Sequence, residues 1–217
     1  EIVRALRDNP YFQGLDRAAF TELAAVTVLR RFGPGEILIW QDEPCAGLHV
    51  LQRGRVKLFR VSPGGRELIV RVLSQGETFN EVPVFDGGLN PVNVAALAET
   101  EVYVVEGEVI QHVMERHPEM AQAVIHNLSG NLRMLVSKVE ELSFFQVTHR
   151  LARLISRMPV EQLEGPADRR LTQDELAARI GTVREVVARS LKELSRSGAI
   201  DTHRGRIRIL DRELLEA

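Results

Sequence analysis

The sequence predicts an α+β protein, with an N-terminal antiparallel β jelly roll, one long helix and a C-terminal winged helix-turn-helix. Three observations carry this. Between about residues 29 and 106 the apolar residues fall in short Val/Ile/Leu-rich runs cut by glycine. From Ala121 to Leu142 they recur at spacings of 4, 3, 4, 3, 4 and 3. Between residues 171 and 200 a helix-capping sequence and a turn glycine mark two helices in succession.

In chain order, residues 16–28 carry a helical pattern through Ala19, Phe20, Leu23 and Ala24. The runs at 37–40, 48–52, 56–61, 68–73, 92–97 and 102–105 read as strands. Gly33-Pro34-Gly35, Gly54, Gly64-Gly65, Gly76 and Gly87-Gly88 punctuate them as turns. Short strands at near-regular spacing favour a barrel or a double-sheet jelly roll.

The 4,3 spacing then holds for three heptads, the register of a coiled-coil seam. A helix packed only on its own domain usually carries a wider apolar stripe. The seam residues Ile125, Leu128, Leu132, Leu135, Val139 and Leu142 therefore predict a parallel homodimer. Phe144 and Phe145 follow, either as a hinge or as core, the commoner fate of paired aromatics. A second helix spans about 149–158, and a polar loop runs from 159 to 166. The expected domains are the jelly roll at 1–118, a dimerisation helix at 119–142 and the winged helix-turn-helix at 143–217.

Composition limits the function classes. Among 217 residues, 44% are hydrophobic and 27% charged, ordinary values for a globular chain. No run approaches the roughly 18 apolar residues of a membrane helix. Charges at Arg4, Arg7 and Asp8 break any signal-peptide core, so the expected location is the cytoplasm, without a membrane partner. A single cysteine, Cys45, cannot form an intrachain disulfide or hold a four-cysteine metal site. Residues 143–217 hold 14 Lys+Arg against 11 Asp+Glu, a net of +3, whereas residues 1–142 carry −5. A basic end on an acidic body suits nucleic acid, though charge scatter alone would also produce it.

The C-terminal run makes that choice. Thr172 and Glu175 form a capping box, Gly181 ends the first helix, and a second helix runs to about Ser197. Arg184, Glu185 and Arg189 cluster near one edge of its N-terminal half, the part that enters a major groove in this motif. Arginine reads guanine O6 and N7, and glutamate accepts from cytosine N4. Residues 200–210 read as a hairpin turning at Arg204-Gly205, with Arg206 and Arg208 on one face, which is a wing suited to phosphates. Thr172, Thr182, Lys192, Arg204 and Arg206 are the candidate contacts to the DNA backbone of a double-stranded site.

At this point nearly the whole chain resembles the Crp/Fnr family of bacterial transcription regulators. GTVREVVARSLKEL is similar to the family's recognition region, and Pro34–Glu36, Arg53–Phe59 and Gly76–Glu81 resemble its sensor strands and turns. The resemblance implies a cyclic-nucleotide-binding-like jelly roll and base reading by Arg184, Glu185 and Arg189. It also implies a homodimer on an inverted repeat with TGTGA-like half-sites, and it admits RNA polymerase as a partner.

The departures concern the effector. Glu81 matches the family residue that contacts the ribose hydroxyl of cyclic AMP, and with Asn80 it marks the candidate effector pocket. The phosphate-binding arginine and serine, however, fall at about Pro91 and Val92. Losing a charge-assisted partner costs roughly 1.5–3 kcal/mol, so cyclic AMP is not the expected ligand. Glu81 then becomes a buried acceptor for loop amides.

Iron–sulfur sensing is excluded by the lone cysteine. The stretch is similar to the nitric-oxide-responsive branch, which also lacks the arginine. A haem-based sensor thus stays open, with His49, His112, His117, His126 and His149 as candidate ligands that spacing does not separate. An effector-independent member fits Pro91 as well, and Cys45 is either a redox-sensing thiol or an inert small residue. No catalytic residue is expected. Jelly-roll metal enzymes need a close His-x-His and carboxylate cluster, and between residues 29 and 106 His49 is the only histidine.

Overall fold

A computed structural model describes residues 2–166 and 170–216. The chain divides into two compact units, residues 1–60 with 70–133 and residues 61–69 with 134–217.

The first unit opens with α1 (Ile2–Asp8) and a single 3-10 turn (Pro10–Phe12) capped by the Asn9 side chain. In α2 (Arg17–Val26), the Asp16 carboxylate accepts from the Ala19 amide at 2.8 Å, an N-cap that closes one orphan donor. The helix stops two residues short of the periodic pattern because Thr27 turns extended. Its hydroxyl donates back to the Leu23 carbonyl, and β1 (Val28–Phe32) begins at once.

Seven more strands follow: β2 (Ile37–Ile39), β3 (Leu48–Arg53), β4 (Arg55–Val61), β5 (Glu67–Ser74), β6 (Thr78–Phe79), β7 (Asn93–Ala96) and β8 (Thr100–Val105). They form two four-stranded sheets, ordered β1-β8-β3-β6 and β2-β7-β4-β5. The strands pair antiparallel, as in Val28 with Val104 and Val56 with Ala96. Ile39, Leu51, Val56, Leu73, Phe79, Val94 and Val102 fill the space between the sheets. Each such side chain contributes roughly 1.5–3 kcal/mol by leaving water.

At the β3–β4 turn Gly54 has φ +92°, and a Cβ there would stand 2.5 Å from the Glu99 carbonyl oxygen. Only glycine fits that approach. Two helices complete the jelly roll, α3 (Glu81–Asp86) and α4 (Gly107–Arg116). A second core joins α1, α2, β3, β8 and α4 around Leu6, Tyr11, Phe12, Phe20, Leu48 and Ile110.

The long helix α5 spans Pro118–Phe144, about 40 Å at 1.5 Å per residue. Its proline occupies the first helical position, where no amide is needed. Only Met120 and Val124 are buried on it.

The second unit contains α6 (Val147–Ser156), α7 (Val160–Leu163), α8 (Gln173–Ile180), α9 (Arg184–Arg196), the hairpin β9 (Ile200–His203) with β10 (Arg206–Ile209), and α10 (Glu213–Glu216). Leu151, Ile155, Leu176, Val187, Leu191, Ile200 and Ile207 form its core. Neither aromatic joins a core cluster: Phe145 is half-buried, with His149 at 5.0 Å and the Arg153 guanidinium over its ring, and Phe144 is 81% exposed. Among the described residues no helix is long and apolar enough to cross a membrane.

Candidate nucleic-acid interface and sensor cavity

The reading head is built from its caps. The Thr172 hydroxyl accepts from the Glu175 amide at 3.2 Å, while Glu175 accepts from the Thr172 amide at 2.7 Å. This reciprocal pair starts α8, and Gly181 at φ +69° ends it in the left-handed region. Thr182 and Val183 turn the chain, and α9 begins at Arg184. Val187, Leu191 and Leu194 point into the core, leaving Arg184, Glu185, Arg189 and Lys192 on the exposed side. Arg184 reaches Asp174 at 3.8 Å, an exposed pair worth little, so its guanidinium is available.

The wing turns at Arg204 (φ +48°) and Gly205 (φ +74°), the positive-φ pair of a type I′ hairpin. Arg206 pairs with His203 and Ile207 with Thr202. Ile207 is buried, and Arg204, Arg206 and Arg208 are exposed. Arg208 also meets Glu164 at 3.2 Å. A groove of about 400 Å³ lies between the helix-turn-helix and the wing, lined by Thr172, Lys192, Arg204 and Arg206. The structure thus brings four of the five predicted backbone-contact residues together, with Thr182 in the turn outside this lining. The sequence reading missed a fourth cation there, Arg170, which donates to the Arg204 carbonyl at 3.1 Å.

Along α5 the predicted seam divides. Ile125, Leu132 and Val139 are each 63% exposed, and Leu135 and Val136 join them on the open side. Leu128 packs instead against the sensor core, and Leu142 is half-buried with its Cδ2 near Gly181. Val136 was missed because the 4,3 pattern steps over it.

In the sensor, both candidate effector residues are engaged by the protein. The Glu81 carboxylate accepts from the Tyr11 hydroxyl at 3.0 Å and the Thr78 hydroxyl at 2.7 Å. These donors are side-chain hydroxyls, not loop amides. Burial, then the neighbouring Glu81 charge, holds the Tyr11 phenol well above its ordinary pKa, so it stays a donor. Asn80, left-handed at φ +72°, donates to the Gly47 carbonyl at 3.1 Å and to Cys45 Sγ at 3.3 Å. The Pro91 carbonyl accepts from Arg60 at 2.9 Å.

A separate cavity of about 790 Å³ is lined by Arg30, Phe32, Cys45, His49, Val84 and Gln111, among others, and by neither Glu81 nor Asn80. Burial raises the pKa of the Cys45 thiol, which makes it a poor nucleophile. His49 stacks on Phe79 at 4.9 Å, its Nδ1 lies 3.0 Å from the Gly47 carbonyl, and burial lowers its pKa to about 4. The other candidate histidines sit elsewhere. His112 and His117 lie near Glu115 and Glu119, His126 is exposed, and His149 packs on Phe145. Among the described residues, no group of three or more His, Cys, Asp or Glu is placed to hold a metal ion.

A β-roll domain followed by a long helix and a winged helix-turn-helix is the architecture of a DNA-binding regulator. The comparisons agree. The family of the cyclic nucleotide-binding domain matches residues 29–117, and that of the Crp-like helix-turn-helix domain matches residues 149–217. The cyclic AMP receptor protein of Thermus thermophilus is 29% identical over 212 residues, 97% of each chain. The CRP-like cAMP-activated global transcriptional regulator of Mycobacterium tuberculosis is 26% identical over 94% of this chain and 90% of its own. A solved Crp/Fnr-family regulator from Eubacterium rectale matches with a TM-score of 0.82 at 19% identity, over 97% of this chain and 99% of that one, a likeness of fold. The chain belongs to the Crp/Fnr family of transcription regulators and carries that family's DNA-binding helix-turn-helix.

Proposed function

We propose that the protein is a homodimeric, sequence-specific regulator that binds an inverted repeat with TGTGA-like half-sites. The observation that carries this is the exposed N-terminal half of α9, where Arg184, Glu185 and Arg189 stand opposite buried Val187 and Leu191. Two arginines suit guanines and the glutamate a cytosine. Lys192, Thr182 and the wing arginines Arg204 and Arg206 would hold phosphates, with Thr172 positioning α8 through its cap. Two copies paired along the open face of α5 would set their recognition helices roughly 34 Å apart, one turn of DNA. The site of action would be the cytoplasm, with RNA polymerase as a partner if the protein activates.

The relatives' names invoke cyclic AMP, but this chain does not fit that ligand. Its phosphate segment offers Pro91 and Val92 in place of arginine and serine, and the carboxylate meant for ribose already holds two hydroxyls. The reading that fits is control by abundance or by an effector other than cyclic AMP. For haem, His49 is the one candidate histidine lining the sensor cavity, and its ring is already stacked on Phe79.

Fluorescence anisotropy of the ligand-free protein on a labelled TGTGA inverted repeat and on a scrambled duplex tests the proposal. Tight binding to the repeat alone is the expected result. Equal binding to both duplexes would remove the base-reading assignment. Weak binding to both, relieved by cyclic AMP, would overturn the effector reading.

A further inference from the structure

We propose that a basic pocket within the C-terminal unit binds a phosphate group, as a free ion or as a monoester, bridging α5 to α6 and α8. Five cations line it: Lys138 from α5, Arg150 and Arg153 from α6, Arg157 just beyond α6, and Arg179 from α8. Among the described residues, Glu141 is the only carboxylate that lines it. The cavity measures about 90 Å³, roughly the share of liquid volume of three waters and so the scale of one small oxyanion.

Three guanidinium groups elsewhere pair closely with a carboxylate, Arg31–Glu101 at 2.8 Å, Arg71–Glu77 at 2.6 Å and Arg116–Glu22 at 2.6 Å. This pocket differs. Lys138 Nζ donates to the Arg179 backbone carbonyl at 2.6 Å, and an Arg150 Nη donates to the Leu142 carbonyl at 3.2 Å. Arg153 shares the single carboxylate at a loose 3.6 Å. The Arg150 Nε is buried and has no hydrogen-bond partner among the described residues. A buried, unmet donor among converging like charges is an unfavourable arrangement by itself. A tetrahedral oxyanion would satisfy it, because the guanidinium fork matches two phosphate oxygens. None of the residues assigned to reading bases or holding DNA phosphates lines this pocket, so its site and the DNA interface can fail separately.

Thermal unfolding of the full chain, with inorganic phosphate or phenyl phosphate against sodium chloride at matched ionic strength, tests it. The expected result is a saturable rise in Tm with either phosphate beyond that in chloride. Tighter binding of phenyl phosphate would assign a monoester, and tighter binding of the ion would assign free phosphate. Arg150→Gln should weaken binding by about tenfold or more, the equivalent of one charge-assisted hydrogen bond. Arg153→Gln, at a more open position, gives the same reading if the first variant fails to fold. No rise beyond chloride, or affinity unchanged in both variants, would overturn the site.

Discussion

Burial holds His49 neutral, and this has a consequence for stability. Its folded pKa of about 4 lies below the ordinary 6.5, so between those values the unfolded chain binds more protons than the folded one. Stability is therefore lost as pH falls from about 6.5 to 4, by as much as about 3 kcal/mol from this residue. Urea unfolding of wild type and His49→Phe should show that part of the acid sensitivity vanish in the variant, and identical pH profiles would contradict it. The Tyr11–Glu81 hydrogen bond is a second buried interaction. Tyr11→Phe should cost roughly 1–2 kcal/mol in the same measurement, because a buried carboxylate loses a donor.

At the scale of elements, the caps of α8 carry the helix-turn-helix. Thr172→Ala removes the capping box and should cost about 1 kcal/mol. Gly181→Ala should cost more, about 1–2 kcal/mol for the left-handed backbone alone. Its new Cβ would in addition come within 3.0 Å of Leu142 Cδ2. Denaturation midpoints of the two variants rank them, and an equal or reversed order would contradict the strain argument.

These caps were legible in the sequence because capping chemistry is local, and so were the wing turn and the three base-reader candidates. The two-residue β6 was not, since Thr78–Phe79 is a strand only through its pairing with β3. Nor was α3, whose start at left-handed Asn80 is held by bonds to Gly47 and Cys45, far away in the sequence. The start of β1 was hidden because Val26, Thr27 and Val28 suit a helix end and a strand alike. The basic pocket was invisible because its cations are scattered from residue 138 to residue 179 and meet only after folding.

At the scale of the whole molecule, the open face of α5 is the proposed seam of the dimer. A continuous stripe of Ile125, Leu132, Leu135, Val136 and Val139 facing water is the kind of apolar patch a partner covers. Leu132→Glu and Val139→Glu should yield monomers by light scattering, and a dimer persisting in both would contradict the proposed seam. Leu142→Glu should act differently. Half-buried beside Gly181, it should lower the unfolding midpoint of the C-terminal unit more than it shifts the monomer–dimer balance.

The central claim is that α9 reads bases, and a double-mutant cycle tests it most directly. Anisotropy would compare wild type and Arg189→Ala on the TGTGA repeat and on repeats with one guanine per half-site replaced. The account predicts a loss of roughly 1–3 kcal/mol in the variant on the parent repeat, and no further loss on one particular replaced repeat. A uniform loss on every duplex would mean that Arg189 touches only phosphate, and would contradict the account.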